Sequence, residues 1–368
     1  MSERRSNMPD TDPAPKPVSL ADIAAALGVS TGTVDRALHG RAGVNPMTRS
    51  KVLKMASNLG YRKNMAASAL AARRKRLVCA ILPEIPSEFF GRVTAGVLEA
   101  AAAYESVGIR VEHRSCPWLK EGEAEAVEGA LDSGASALIV APGTHDSLRA
   151  VIRKASRVGV PVVCVATDAP GTERLTAVAA DPTACGSMAA EMLGLLLQDS
   201  GQVAVITGSL ATATHRECLE GFRAALARWC PGLAGNLVVE AHDDEAETLA
   251  KCREMLRSAP GLSGAYVATS TSMPVLRALD EAGLTGRVKV VTTDLFPALI
   301  DRIRAGDVAA SIYQRPRNQG RLALQAVCRF LAEGVCPPAH IRFAPHVAMR
   351  SNVHLLSTVA APAFEDVS

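Results

Sequence analysis

The sequence predicts a small all-α front module followed by a larger α/β body made of two similar lobes. Two observations carry that prediction. Near the front, apolar residues recur at helical spacing in short segments broken by glycine and proline; beyond residue 76, apolar runs of strand length alternate with amphipathic stretches of helix length. Charge divides at the same place. Residues 1–76 hold 14 lysines and arginines against 5 aspartates and glutamates, a net +9, while the remainder carries −6, so the overall +3 conceals a basic front on an acidic body. A compact basic module of this kind points to a polyanion as its partner.

Composition removes several function classes. With 368 residues, 48% of them hydrophobic, the chain can fill two or three domains. It contains no run of 18 apolar residues, so no membrane partner is expected. Residues 1–17 are polar and proline-rich without an apolar core, which reads as a disordered tail rather than a signal peptide and implies a cytoplasmic protein. The nine cysteines form no C-x-x-C pair, and apolar neighbours around Cys79, Cys164 and Cys328 mark them as buried thiols of a reducing compartment. There is no P-loop and no H-E-x-x-H, and no nucleophile–base pair stands out, so no enzyme, cofactor or metal is expected. The acidic run His242, Asp243, Asp244, Glu245 reads as a helix cap, because neighbouring side chains point in different directions.

Taken in order, Leu20, Ile23, Ala24 and Leu27 lie on one face of a first helix, with Ser19 as N-cap, Asp22 in capping-box position and Gly28 as the left-handed stop. Ser30 caps a second helix whose buried face is Val34, Ala37 and Leu38. Asn45 and Pro46 open a third, with Val52, Met55, Ala56 and Leu59 inward and Gly60 at its end. Helix, glycine turn, helix is the helix-turn-helix layout. The second helix turns Thr31, Gly32, Asp35 and Arg36 outward. In a major groove Arg36 would pair bidentately with a guanine, and Ser30, Thr33 and the helix N-terminus would hold phosphates. The other reading of that face is a solvated surface or a protein-binding module. "YRKNMAASALAARRKR" is an Ala-rich basic segment, too short to be a stable helix alone; Leu70 is either a wedge for a minor-groove step or a linker residue packed on the body.

From Val18 to Leu70, "SLADIAAALGVSTGTVDRALHG", then "TRSKVLKMASNLGY" and a hinge leucine nine residues after Tyr61, the chain resembles the DNA-binding headpiece of the lactose-repressor (LacI/GalR) family. The resemblance implies that Thr31, Gly32 and Arg36 face the major groove and that Leu70 enters the central minor groove of an operator, with Ser19, Ser30, Thr33 and Asn64 as further DNA contacts. Gly32 offers no side chain for base readout, and Asp35 stands where the family more often has Ser, so no operator sequence carries over.

Ten strands are predicted in the body: "LVCAILP", "IRVEHRS", "ALIVAPG", "PVVCVATD", "AVAAD", "QVAVITGS", "LVVEAHD", "GAYVATS", "VKVVTTD" and "AASIYQ". Continuous Val/Ile runs separated by helices are parallel strands covered on both faces, and the pattern runs through two rounds, giving two Rossmann-like lobes with a crevice between them. From Leu77 to Asn352 the body resembles the same family's effector domain, itself similar to periplasmic sugar-binding proteins. That resemblance implies a small polar effector, sugar-like, contacted by Phe89 and Phe90, Asp168, Arg216, Thr269, Asp294 and Gln314. Ala169 and Ala141 stand where such sugar binders often have Arg and Asn. Taken singly, each of these residues also has a structural reading, as helix cap, surface ion pair or core filler.

The expected organisation is therefore a tail (1–17), a helix-turn-helix domain (18–64), a hinge helix (65–76), a two-lobed periplasmic-binding-protein-like domain (77–357) and a second tail (358–368). Within the body the N-lobe takes 77–180 and 314–343, and the C-lobe 181–313 and 344–357, with chain crossings near Ala180–Pro182, Tyr313–Pro316 and Phe343–His346. The final residues lack a leucine heptad, so a homodimer is expected rather than a tetramer held by a coiled coil. The functional expectation is a transcriptional regulator, in the first instance a repressor, that binds double-stranded operator DNA under control of its effector. The alternative is a solute-binding protein of a transport system.

Overall fold

The computed structural model describes residues 18–38, 43–59, 75–85, 87–119 and 121–358. The chain falls into two compact units, a front one that ends at residue 73 and a body that holds nearly all the rest.

The front unit is three helices, α1 (Leu20–Leu27), α2 (Thr31–Leu38) and α3 (Pro46–Asn58). Each start is fixed locally. The Ser19 N–H donates to Asp22 Oδ2 at 2.7 Å and the Asp22 N–H to Ser19 Oγ at 3.3 Å, a complete capping box. Gly28 ends α1 at φ 63°, a left-handed conformation that glycine adopts without steric cost. Asn45 Oδ1 accepts from the Thr48 N–H at 2.7 Å at the start of α3. The core is small: Ile23, Ala24, Val34, Ala37, Val52 and Ala56 are buried, with Met55 and Leu38 packed at its margin. Leu59 departs from the expected inward face. It lies just past the end of α3 and is exposed.

In the body, the first five strands are β1 (Arg76–Ile85), β2 (Ile109–Trp118), β3 (Ala137–Val140), β4 (Val162–Val165) and β5 (Thr176–Ala180). The next five are β6 (Gly201–Thr207), β7 (Leu233–Glu240), β8 (Leu262–Val267), β9 (Lys289–Thr293) and β10 (Ala310–Tyr313), followed by β11 (His340–Phe343) and β12 (His346–Ala348). They form two sheets of six, ordered β11-β5-β4-β3-β1-β2 and β12-β10-β9-β8-β6-β7. All pairings are parallel except β10 with β12. Each sheet thus repeats the doubly wound order 2-1-3-4-5, with one strand added at its edge. That order places a ligand crevice beyond the carboxyl ends of the strands. β3 and β4 are buried at every position, as strands with helices on both faces must be.

The two edge strands were not among the ten predicted. "HIRF" alternates exposed and half-buried residues and "HVA" is only three residues long, so neither carries a continuous apolar run. They matter for connectivity. The chain passes between sheets at residue 181, again at 314–315 and again at 344–345.

Each lobe has a core on both sides of its sheet. In the C-lobe, the helix Pro182–Leu197 lies directly against the helix Ala213–Trp229, whose first turns face the crevice. Glycine makes that approach possible: a Cβ on Gly186 would stand 1.9 Å from the Cys218 carbonyl oxygen, and one on Gly221 would stand 2.3 Å from that of Thr183. All nine cysteines are free, eight of them buried and Cys336 exposed. Among the described residues no helix is long and apolar enough to cross a membrane.

Candidate functional site

The front unit presents one face of α2 to solvent. Thr31, Gly32 and Arg36 are exposed, with Gly32 and Arg36 one helical turn apart, while Val34 and Ala37 hold the opposite face in the core. Ser30 and Thr33 are engaged with each other: Ser30 Oγ accepts from the Thr33 N–H at 3.1 Å and lies 2.9 Å from Thr33 Oγ1. Ser30 therefore works first as the N-cap of α2, taking up one of the backbone N–H groups of its first turn. Gly28 to Gly32 also has the G-x-S-x-G spacing of a nucleophile elbow. Here that stretch joins two helices rather than a strand to a helix, and its serine is a cap. Ser19 is likewise a cap, inside the box with Asp22. Asn64 and Leu70 lie outside the described residues.

In the body, a cavity with about 650 Å³ of empty space, continuous with solvent, sits between the lobes at the carboxyl ends of the strands. The space that admits the centre of a water-sized molecule is about 70 Å³. Phe89 and Phe90, from the helix after β1, form its apolar floor with their rings edge to face at 5.1 Å. Opposite them stand Asp243 after β7, Thr269 after β8, Asp294 after β9 and Gln314 after β10. Asp294 is nearly inaccessible. Burial pushes its carboxyl up to about 7, although the Gln314 N–H and Nε2 each donate to it at 3.0 Å and the charge of Arg92 also pulls it down. The Asp243 carboxylate accepts from Thr269 Oγ1.

Backbone strain collects at this crevice. Ala166, Asp243, Asp294 and Arg315 all have positive φ, between 54° and 67°. An alanine there has no side-chain hydrogen bond to offset the cost, so the surrounding structure must impose it. The carbonyl of Ala166 in the N-lobe accepts from Thr214 Oγ1 of the C-lobe at 3.0 Å. Two more contacts bridge the lobes: Thr212 Oγ1 donates to the Gly143 carbonyl at 2.7 Å, and Arg342 Nη2 meets Glu217 Oε2 at 2.6 Å. These three contacts span the crevice.

Of the residues proposed from sequence, Phe89, Phe90, Thr269, Asp294 and Gln314 line the cavity together, and Asp168 and Arg216 do not. The Asp168 carboxylate is taken up by the Arg174 guanidinium on both oxygens, with His340 Nε2 at 3.1 Å, and faces a small separate cleft. Arg216 Nη1 donates to the Leu210 carbonyl at 3.2 Å. The combination of carboxylate, guanidinium and amide expected around the rings therefore lacks its guanidinium. Sequence reasoning missed Thr212, Thr214, His215 and Asp243, all of which line the cavity. Asp243 was hidden in an acidic run read as a cap. In fact Asp244 is the cap, accepting from the Glu247 N–H at 2.7 Å, while Asp243 at φ 61° turns to the cavity.

A family model described as bacterial regulatory proteins of the lacI family matches residues 19–64, and one described as a periplasmic binding protein domain matches residues 78–334. The HTH-type transcriptional regulator DegA of Bacillus subtilis is 26% identical over 210 residues, covering 56% of this chain and 60% of that protein. Catabolite control protein A of Staphylococcus epidermidis is 31% identical over 152 residues, covering 41% of this chain and 44% of that protein. Each match spans less than two thirds of the relative's own length. Among solved structures, an ABC transporter solute binding protein from Burkholderia graminis in complex with D-arabinose aligns with a TM-score of 0.70 and 22% identity, over 76% of this chain and 97% of that one. That is a likeness of fold.

Proposed function

Because the chain belongs to the lacI family of bacterial regulatory proteins, with a periplasmic binding protein domain as its body, we propose that it is a DNA-binding transcriptional regulator switched by a small polar effector. The observation that carries this reading is α2: a capped helix with its apolar face locked in a core and Thr31, Gly32 and Arg36 free to enter a major groove. The protein works as a cytoplasmic homodimer, each headpiece taking one half-site of a pseudo-palindromic operator. Leu70 wedges the central minor groove. Bending the site costs on the order of 1–6 kcal/mol, recovered through the contacts the bend allows. The crevice acts as a binding site, not a catalytic one.

Ligand between the lobes favours the closed arrangement held by Thr212, Thr214 and Arg342. An effector can shift DNA affinity only by its preference between lobe states, and a coupling of roughly 1–3 kcal/mol suffices to change occupancy. Footprinting on the DNA upstream of its own coding sequence tests the proposal: a protected palindrome supports it, and uniform, sequence-independent protection refutes it. A transport role would use the body alone and leave the basic headpiece without a task.

A further inference from the structure

We propose that the effector carries a protonated amine alongside its hydroxyl groups, as in an amino sugar or an aminated polyol, and is neither a neutral nor a phosphorylated sugar. This deepens the reading of the crevice as the effector site and rests on it. The ground is an imbalance of hydrogen-bond acceptors over donors in the cavity wall. Two carboxylates, Asp243 and Asp294, line it, and among the described residues no lysine or arginine does. A carboxylate only accepts, and Asp294, whose carboxyl burial pushes up to about 7, is mostly in that form at pH 7.5.

Four of the hydroxyls around them have already committed their hydrogens. Thr212 donates to the Gly143 carbonyl at 2.7 Å, Thr214 to the Ala166 carbonyl at 3.0 Å, Thr293 to the Val267 carbonyl at 2.8 Å, and Thr269 to Asp243. Each of those oxygens is left with lone pairs to offer. His215 also lines the cavity, its Nδ1 3.3 Å from the Ser209 carbonyl; the neutral tautomer that donates there offers Nε2 as an acceptor. The donors that remain are few: the Ser270 hydroxyl, the second amide hydrogen of Gln314 and Thr167, whose buried Oγ1 has no partner among the described residues, while the Tyr266 hydroxyl is engaged with Cys218 Sγ at 3.4 Å and Thr293 Oγ1 at 3.3 Å.

A neutral sugar brings one lone-pair-bearing oxygen with every O–H and leaves this surplus of acceptors partly unmet. An ammonium brings three donors and no acceptor, and cancels charge in a site where an unpaired carboxylate is costly. The Phe89 and Phe90 rings also suit a cation beside them. A phosphate would meet two carboxylates and, among the described residues, no cation in the wall. Arg92 acts on Asp294 only from outside the wall.

The test uses the full chain, two matched sets and one anion: D-glucosamine, D-glucose and N-acetyl-D-glucosamine; 1-amino-1-deoxy-D-sorbitol and D-sorbitol; and D-glucose 6-phosphate. Affinities come from calorimetric titration at pH 7.5. At least one amine should bind tenfold or more tightly than its hydroxyl and acetylated counterparts, and Asp294→Asn should abolish that preference. Asparagine tolerates the positive φ at this position, and Asp243→Asn serves as a second variant should the first fail to fold. Neutral or phosphorylated compounds binding as tightly as the amines would overturn the charge preference while leaving the effector pocket intact. If no amine binds, the proposal fails, and binding by the neutral partners then decides the pocket reading separately.

Discussion

In the front unit, three neighbouring residues of one eight-residue helix, Thr31, Gly32 and Arg36, stand in solvent above six buried side chains. In the body, the site draws on segments that follow successive strands, from Phe89 to Gln314, and Asp294 is almost fully enclosed. A convex site needs only enough core to hold one helix straight. A concave one needs two sheets, four cores and a strained backbone to bring distant residues together. The comparison implies that each unit can be damaged without the other noticing, and that damage to the front should be out of proportion to the size of the change.

The largest effect is expected from Ile23→Ala, which empties a fully buried position in that six-residue core. A loss of about 2–5 kcal/mol would melt the headpiece. Calorimetry should then show the body transition in place, with operator binding gone and ligand binding retained. A body transition that moves in step would break the comparison.

Next comes Asp294. Its carboxyl titrates near 7 in the folded body against an ordinary 3.8. Between those pH values the unfolded chain has released a proton that the folded chain keeps, so folded-state stability falls as pH rises. The fall should reach about 1.4 kcal/mol per pH unit relative to Asp294→Asn, and the difference should be flat outside that window. Urea melts of the ligand-free protein at pH 4, 5.5 and 7.5 measure it; parallel curves for wild type and variant would contradict the burial account.

Arg36→Ala should cost about 1–3 kcal/mol of specific operator binding and relax preference at one base pair. Equal weakening on every sequence would reduce Arg36 to a phosphate contact and narrow the difference between the two sites. The smallest effect is expected of Arg342→Ala, which removes a partly exposed ion pair across the crevice. Such pairs are worth about 0.2–1 kcal/mol, so effector affinity should fall no more than about fivefold with DNA affinity unchanged. A larger loss would show that closure depends on this pair rather than on Thr212 and Thr214.

The same comparison explains what could be read in the sequence. The front was legible to single residues because its determinants are local: the Ser19–Asp22 box and the Gly28 stop are each fixed within a few positions. In the body, the strands buried on both faces were legible from their apolar runs, and the half-exposed β11 was not. Within the site, Asp294 and Gln314 lie where a strand-end reading puts them. Asp168 also sits at a strand end, yet Arg174 holds it from six residues away, with His340 arriving from the other end of the chain. Nothing local distinguishes Asp168 from Asp294. The difference lies in partners brought by topology.

The most direct measurement is the fluorescence anisotropy of a labelled upstream fragment titrated with the full-length protein, with and without saturating ligand, at fixed salt. Tight binding to that fragment but not to scrambled DNA, with a ligand-induced change in Kd of roughly 5- to 150-fold, is the predicted result. Equal affinity for both DNAs, or a Kd that no bound ligand moves, would contradict a headpiece governed by the crevice.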